Sequence, residues 1–194
     1  MKKAKLFSFG IVAVAGLTLL GACGGGNSGS TDSTGGGSAD GTTDAAHSVA
    51  IVTDIGGVDD RSFNQSAWEG LEAWGKEHGI ARGAGGYDYV QSNEASEYTT
   101  NVNGAVQNGF KTIFGVGYLL KDSIEAAADQ NPDTQFGIID DVIEGKDNVV
   151  SATFKDNEAA YLAGYAAAYT TKTNKVGFIG GEEGVVIDRF EAGF

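Results

Sequence analysis

Cysteine, proline and histidine are all scarce in this sequence. Its 194 residues include one Cys, one Pro and two His. A single Cys excludes an internal disulfide and a cysteine-based zinc cluster, and two distant His argue against a multi-histidine metal site. We therefore expect no metal or other cofactor.

Basic residues are few as well. The sequence contains 13 Lys and Arg but 26 Asp and Glu, which gives a formal net charge of −13. This acid excess argues against nucleic acid as a partner, since neutralising phosphates requires clustered Lys and Arg. No apolar run reaches the ~18–20 residues that span a bilayer. Hydrophobic residues still make up 41% of the chain, which is enough for a buried core.

The first 22 residues have the organisation of an export signal. Three lysines among the first five residues precede an apolar run over residues 6–20. The segment Leu20-Gly21-Ala22-Cys23 resembles a bacterial lipobox, in which a diacylglycerol is placed on the thiol and the chain is cut before the Cys. We predict a lipoprotein signal peptide over residues 1–22 and lipidation of Cys23. The alternative is an ordinary signal peptide with an incidental Cys.

Residues 23–47 are interpreted as the lipidated Cys and a linker. From residue 24 to residue 46 the chain contains only Gly, Ser, Thr, Asn, Ala and Asp. Such a composition cannot bury a core and predicts a flexible Gly/Ser/Thr linker.

From residue 48 onward, short apolar runs alternate with helical patterns. Strands separated by helices of about a dozen residues predict right-handed βαβ units, and therefore a doubly wound α/β fold with a parallel sheet. Strands are predicted at 49–53, 84–89, 112–116, 135–139, 149–154 and 175–179. Helices are predicted at 94–108, 119–130 and 158–171, and two more are predicted to begin at residues 62 and 185.

The first predicted helix has recognisable signals at both ends. Ser62 is placed as its N-cap with Gln65 as capping-box partner, and Gly79 is placed as its C-cap. Asp59 and Asp60, just before the helix, are interpreted as a solvated turn.

Polar and aromatic residues follow the predicted strands, where the crevice of an open parallel sheet binds its ligands. Asp54, Asp140 and the pair Gly117-Tyr118 follow strands, and Phe63 lies in the first turn of the first helix. Carboxylates accept hydrogen bonds from ligand N–H and O–H groups, and an aromatic ring offers a stacking face. Because no Lys or Arg stands at these strand ends, we predict a site for a flat, polar ligand without phosphate.

Each of these residues also has a purely structural alternative. Asp54 could brace the following turn, Phe63 could belong to the core, and Tyr118 could pack at a helix start. Asp140 and Asp141 could form a solvated loop. Catalysis lacks candidates, since the sequence has no Gly-x-Ser-x-Gly elbow, no Walker loop and no His near a nucleophile. A binding protein therefore fits better than an enzyme.

One long segment resembles a known family. Residues 52–70 read VTDIGGVDDRSFNQSAWEG and resemble the basic membrane lipoprotein family, the purine nucleoside receptor lipoproteins of bacterial ABC importers. Supporting stretches are GVGY at 115–118, FGIID at 136–140, YLAGYAA at 161–167 and GGE at 180–182. The resemblance covers residues 48–194. It implies a type I periplasmic-binding fold, with residues 48–154 as the first lobe and 155–194 as the truncated start of a second.

The resemblance also implies roles for particular residues. In the family the ring of the Ser-Phe-Asn segment stacks on the base, which maps to Phe63. The acid of the Thr-Asp-Ile-Gly-Gly segment contacts the nucleoside and maps to Asp54. The acid that closes the Phe-x-Ile-Ile-Asp strand binds the base and maps to Asp140, with Asp141 as neighbour. Together with Gly117 and Tyr118, these are the predicted ligand-binding residues.

The implied partners are a purine nucleoside, ABC permease subunits and the bacterial cell membrane, reached through the lipid on Cys23 at its extracytoplasmic face. A separate subunit uses ATP, so no catalytic step is expected in this chain. One alternative is the same fold binding a sugar or another small polar ligand. Alternatives of another class are a nucleoside-processing enzyme and a surface antigen.

We expect these 194 residues alone to bind a nucleoside weakly or not at all. In the family, a second stacking aromatic and the acid and lysine that hold the ribose lie in sequence that this chain does not contain. Isothermal titration with inosine or guanosine measures this directly, and binding at micromolar affinity or tighter would contradict the expectation.

Overall fold

The computed structural model describes residues 47–194. The predicted signal peptide, Cys23 and almost all of the predicted linker lie outside these described residues. Within residues 47–194, no helix has both the length and the apolar character needed to cross a membrane.

Five parallel strands form one sheet, in the spatial order β2-β1-β3-β4-β5. The strands are β1 Val49–Thr53, β2 Tyr87–Val90, β3 Thr112–Val116, β4 Gln135–Ile139 and β5 Val149–Ala152. The helices are α1 Phe63–His78, α2 Tyr98–Gln107, α3 Lys121–Gln130, α4 Asp156–Thr170 and α5 Val185–Gly193, with 3₁₀ turns at Ala95–Glu97 and Tyr118–Leu120. The predicted doubly wound parallel sheet is confirmed.

The sheet is covered on both faces by helices, because successive side chains of a strand point in opposite directions. In β1, Ala50 and Val52 face a core formed with α2 and α3, whereas Ile51 packs with Trp68 and Leu71 of α1. The apolar side chains of α1 therefore cover one face of the sheet. All five strands are short and parallel, so their carboxyl ends meet along one edge.

Most predicted elements are observed, and one predicted strand is wrong. Residues 175–179 are not a strand in the structure, and the side chain of Ile179 is 97% exposed. A strand requires a neighbour to satisfy its backbone groups, and none of the described strands pairs with this segment. Two other strands differ at their ends, since β2 occupies 87–90 rather than 84–89 and β5 stops at 152 rather than 154.

The predicted capping of α1 is also wrong in its details. The helix does follow Ser62, but the Ser62 hydroxyl makes no capping hydrogen bond. Asp60 caps the helix instead, because its carboxylate accepts the backbone N–H groups of Ser62, Asn64 and Gln65 at 2.7, 3.1 and 3.0 Å. The turn predicted to be merely solvated is thus a capping loop. At the other end Gly79 has a φ of 67° and closes the helix as predicted.

Beyond the sheet, α4 packs against α5 through its smallest residues. A Cβ added to Gly164 would lie 2.3 Å from the carbonyl oxygen of Phe194, so the two helices approach at backbone distance. The buried residues of α4 are Asp156, Ala160 and Gly164, whereas Tyr161 and Leu162 are exposed.

The Asp60 cap generates a stability prediction. Burial by itself raises the pKa of Asp60, but the N–H donors of Gln65, Ser62 and Asn64 outweigh it and leave the pKa below its usual value. Asp60→Ala should lower the free energy of unfolding in urea by about 1 kcal/mol at neutral pH. Because a lowered carboxyl pKa stabilises the fold above the unfolded-state pKa, this difference should vanish as the pH falls through the folded-state value.

Asp59→Ala is the matched control, because Asp59 is an exposed neighbouring acid whose removal should change stability by less than about 0.5 kcal/mol. Equal effects of the two substitutions would show that the carboxylate of Asp60 does not cap the helix.

Candidate functional site

A cavity of about 220 Å³ lies at the carboxyl edge of the sheet. The five residues singled out from the sequence all line it, namely Asp54, Phe63, Gly117, Tyr118 and Asp140. They come from three different strand ends and one helix start. The opposite wall comes from the segment 181–187, which includes Glu182 and the first turn of α5.

Asp54 is held by one of its two carboxylate oxygens. Its Oδ1 accepts the backbone N–H of Gly56 at 3.1 Å and the Nδ2 amide of Asn64 at 2.7 Å. Its Oδ2 faces Gly117, because a Cβ added there would lie 3.6 Å from that oxygen. Asp54 therefore braces the turn, as the structural alternative proposed, and still directs a second oxygen toward the cavity edge.

Asn64 joins the end of β1 to the start of α1. Its side chain is 2% exposed, and its Nδ2 donates to Asp54 and, at 3.1 Å, to the carbonyl of Gly56. Its buried Oδ1 has no hydrogen-bond partner in the described part of the chain. Asn64 was not singled out from the sequence, although it directly follows Phe63 in the first turn of α1.

Phe63 presents its ring outward from the first residue of α1. The side chain is 54% exposed and lines the cavity, whereas Trp68 of the same helix is buried against the sheet. The alternative that Phe63 belongs to the core is therefore not observed. About half of the Phe63 side chain is therefore accessible to a ligand in the cavity.

Gly117 and Tyr118 form the turn after β3. Gly117 has a φ of 103°, which an L side chain rarely adopts, and a side chain here would also approach Asp54. The Tyr118 hydroxyl donates to the carbonyl of Glu182 at 3.1 Å. Burial raises the pKa of Tyr118, and the negative charges of Glu182 and Asp54 raise it further. Tyr118 is thus a neutral hydrogen-bonding group at physiological pH.

Asp140 and Asp141 point in different directions, which resolves the ambiguity between them. Asp140 is 5% exposed and lines the cavity, with a φ of 75° and its N–H bonded to the carbonyl of Ala152 at 2.8 Å. Asp141 instead accepts the ammonium of Lys121 at 3.0 Å, outside the cavity lining.

The surroundings of Asp140 leave its pKa above the usual value, and burial is the largest cause. Burial raises the pKa of Asp140, the negative charge of Asp156 raises it further, and the positive charge of Arg189 opposes both. Asp156 and Arg189 were not singled out from the sequence. They lie 33 residues apart, and no local spacing pattern links them to each other or to Asp140.

Tyr98 of α2, which was not singled out from the sequence as a site residue, also belongs to this charged neighbourhood. It is buried, and its pKa is raised by that burial and by the negative charges of Asp54 and Glu182. The cavity is therefore surrounded mainly by acidic and neutral groups. Such a site accepts hydrogen bonds from a ligand and repels phosphate. Within residues 47–194, no group of three or more His, Cys, Asp or Glu side chains is arranged to hold a metal ion.

A larger groove of about 480 Å³ lies on the α1 face of the sheet. Its walls include Leu71 and Trp74 of α1 and Phe114 and Ile139 of the sheet. These side chains are hydrocarbon and aromatic, so the groove offers contact area but few directional groups. The smaller cavity carries the chemistry that could orient a polar ligand.

The family described as "ABC transporter substrate-binding protein PnrA-like" matches residues 47–194. A "CD4+ T-cell-stimulating antigen" of Listeria innocua is 54% identical over 181 residues, covering 93% of this chain and 49% of the relative. The "ABC transporter nucleoside-binding protein BmpA" of Lactococcus lactis is 61% identical over 146 residues, covering 75% of this chain and 41% of the relative.

Two more distant proteins are also similar. "Basic membrane protein A" of Borreliella burgdorferi is 35% identical over 149 residues, covering 75% of this chain and 42% of the relative. A crystal structure of ABC transporter system solute-binding proteins from Aeropyrum pernix superposes with a TM-score of 0.56 at 28% identity, over 62% of this chain and 32% of that one.

The chain thus spans about half the length, or less, of the curated relatives that it matches. The family match itself covers all of the described residues, and the resemblance inferred from residues 52–70 is confirmed. This chain belongs to the family of PnrA-like ABC transporter substrate-binding proteins.

Proposed function

We propose that this chain is the solute-binding subunit of an ABC importer and that it binds purine nucleosides in the cavity at the carboxyl edge of the sheet. The observation that carries the proposal is the exposed ring of Phe63 in the same cavity as Asp54 and Asp140. The name of the Lactococcus lactis relative, "ABC transporter nucleoside-binding protein BmpA", supports the same ligand class.

The chemistry of the cavity matches the parts of a nucleoside. The ring of Phe63 stacks on the base, which contributes about 1–3 kcal/mol per stacked base. Asp54 and Asp140 accept hydrogen bonds from N–H and O–H groups, and bonds to an ionised acceptor are roughly twice as strong as neutral ones. The same negative charges repel the phosphate of a nucleotide, so the site selects the unphosphorylated molecule.

The division into lobes is part of the proposal. Residues 48–154 form the first lobe, with Asp54, Phe63 and Asp140, and residues 155–194 begin the second. The cavity wall formed by 181–187 supports this division, because the site then draws on both parts of the chain. Closure of the two lobes around the nucleoside would signal occupancy to the permease.

The ligand proposal is tested by titration calorimetry with the complete gene product lacking its first 22 residues. We expect inosine or guanosine to bind, and inosine monophosphate and free sugars to bind far more weakly. Phe63→Ala should weaken nucleoside binding roughly 5- to 150-fold through lost stacking. Asp54→Asn should weaken it at least about 10-fold, because it removes a charged acceptor.

Phe154→Ala is the matched control for Phe63→Ala, because Phe154 is an equally exposed phenylalanine outside the cavity lining. The Phe154→Ala variant should bind inosine with the same affinity as the unsubstituted protein. Binding of a sugar in preference to any nucleoside, or release of free base from inosine, would contradict the proposal.

The chain is further proposed to be lipid-anchored at Cys23 on the extracytoplasmic face of the membrane, where it meets the permease. Cells expressing the gene and fed a labelled fatty acid should yield a labelled protein that partitions with membranes. Cys23→Ser should abolish the label and leave the signal peptide uncleaved. Labelled Cys23→Ser protein would overturn this assignment.

A further inference from the structure

The charged side chains of Asp156 and Arg189 form an ion pair in which Asp156 is buried and the Arg189 side chain is 35% exposed. Asp156 is the first residue of α4 and is 6% exposed. The Nε of Arg189, on α5, donates to Asp156 Oδ2 at 2.7 Å. The terminal Nη2 of Arg189 is also buried, and it has no hydrogen-bond partner in the described residues. The guanidinium therefore keeps donor capacity beyond its bond to Asp156.

The ion pair connects the start of α4 with the helix that forms one wall of the cavity. Val186 and Ile187, one turn or less before Arg189 on α5, both line that cavity. Removing Arg189 would leave Asp156 as an uncompensated buried charge, so the pair constrains the relative placement of its two helices. The pair is thus in a position to influence the site without lining it.

The same two residues carry the charges that act on Asp140. Asp156 favours the protonated form of Asp140 by repulsion, and Arg189 favours the ionised form by attraction. The orientation of Asp140 is set separately, because its left-handed backbone is fixed by the N–H bond to Ala152. Arg189 therefore acts on the charge of Asp140 rather than on its direction.

The other ionisable groups around the cavity do not replace Arg189. From β1 comes Asp54, from the turn after β3 comes Tyr118, and from the segment before α5 comes Glu182. Asp188 of α5 adds a further negative charge that acts on Tyr118. The carboxylate of the adjacent Asp141 is paired with the ammonium group of Lys121. The ionisable groups among the described residues that line the cavity are thus acids and a neutral phenol, and none of them carries a positive charge.

We propose that Arg189 is a positioning residue of the ligand site, which pairs with Asp156 to hold α5 in place and keeps Asp140 ionised as a hydrogen-bond acceptor. This inference rests on the proposed nucleoside site and assigns it a pH dependence. Because the ligand binds the ionised form of Asp140, affinity falls as the pH drops through the pKa of Asp140 in the free protein.

Substitution of the two partners should move this pH dependence in opposite directions. Arg189→Met removes the favourable positive charge, so the pH at which inosine affinity is half lost should rise. Asp156→Asn removes the repelling negative charge and should lower that pH. Arg189→Lys keeps the positive charge and should therefore retain most of the pH dependence of the unsubstituted protein. The measurement is the inosine dissociation constant of the complete gene product between about pH 4 and pH 8.

Lys121→Met is the matched control, because it removes a cation that binds Asp141 rather than Asp140. Its pH profile should coincide with that of the unsubstituted protein. If Arg189→Met and Asp156→Asn weaken binding equally at every pH, the ion pair is purely structural and the inference is overturned.

A second measurement separates this inference from the ligand proposal. The carboxyl ¹³C resonance of Asp140 can be titrated in the ligand-free protein, whether or not inosine binds. Its midpoint should rise in Arg189→Met and fall in Asp156→Asn. An unchanged midpoint in both variants contradicts the role of Arg189 even if nucleoside binding is established. If the titration midpoints of Asp140 shift as expected but inosine does not bind, only the ligand proposal is refuted.

Discussion

The hydrogen bond between Asn64 and Asp54 is the contact on which the geometry of the cavity depends most. It ties the end of β1 to the first turn of α1, at a donor–acceptor distance of 2.7 Å. Asp60 completes the same junction by capping the helix with three backbone bonds. Because helix and strand are fixed to each other here, the ring of Phe63 and the carboxylate of Asp54 face one space.

Several acidic residues lie close together at the carboxyl edge of the sheet, where their negative charges repel one another. Parallel strands bring Asp54 and Asp140 together because their carboxyl ends are aligned, whatever the mutual repulsion of the charges. Asp54 is compensated by the amide of Asn64, and Asp141 by Lys121. Asp140 is compensated from a distance, by a guanidinium that is also bound to Asp156. Burial and the charge of Asp156 raise the pKa of Asp140, and the positive charge of Arg189 opposes that rise.

Much of the fold could be predicted because the relevant signals are local. The strands at 49–53, 112–116 and 135–139 are observed with the predicted bounds, since each is a short apolar run closed by polar or glycine residues. The segment 175–179 has the same character and is not a strand, because pairing depends on a neighbour that local sequence does not describe. The cap of α1 was misassigned for a related reason. Asp60 reaches the helix through the path of its loop, not through the usual spacing of a capping residue.

The sequence by itself determined the alternating α/β pattern, the chemistry of the strand ends and the membership in a substrate-binding family, because these are carried by residue types in a fixed order. Only the tertiary structure decided that Asp140 rather than Asp141 lines the cavity, that the ring of Phe63 is exposed, and that the charge of Arg189 acts on Asp140. The reason is physical. The direction of a side chain follows from backbone torsion and packing, and an ion pair across 33 residues exists only after the chain has folded.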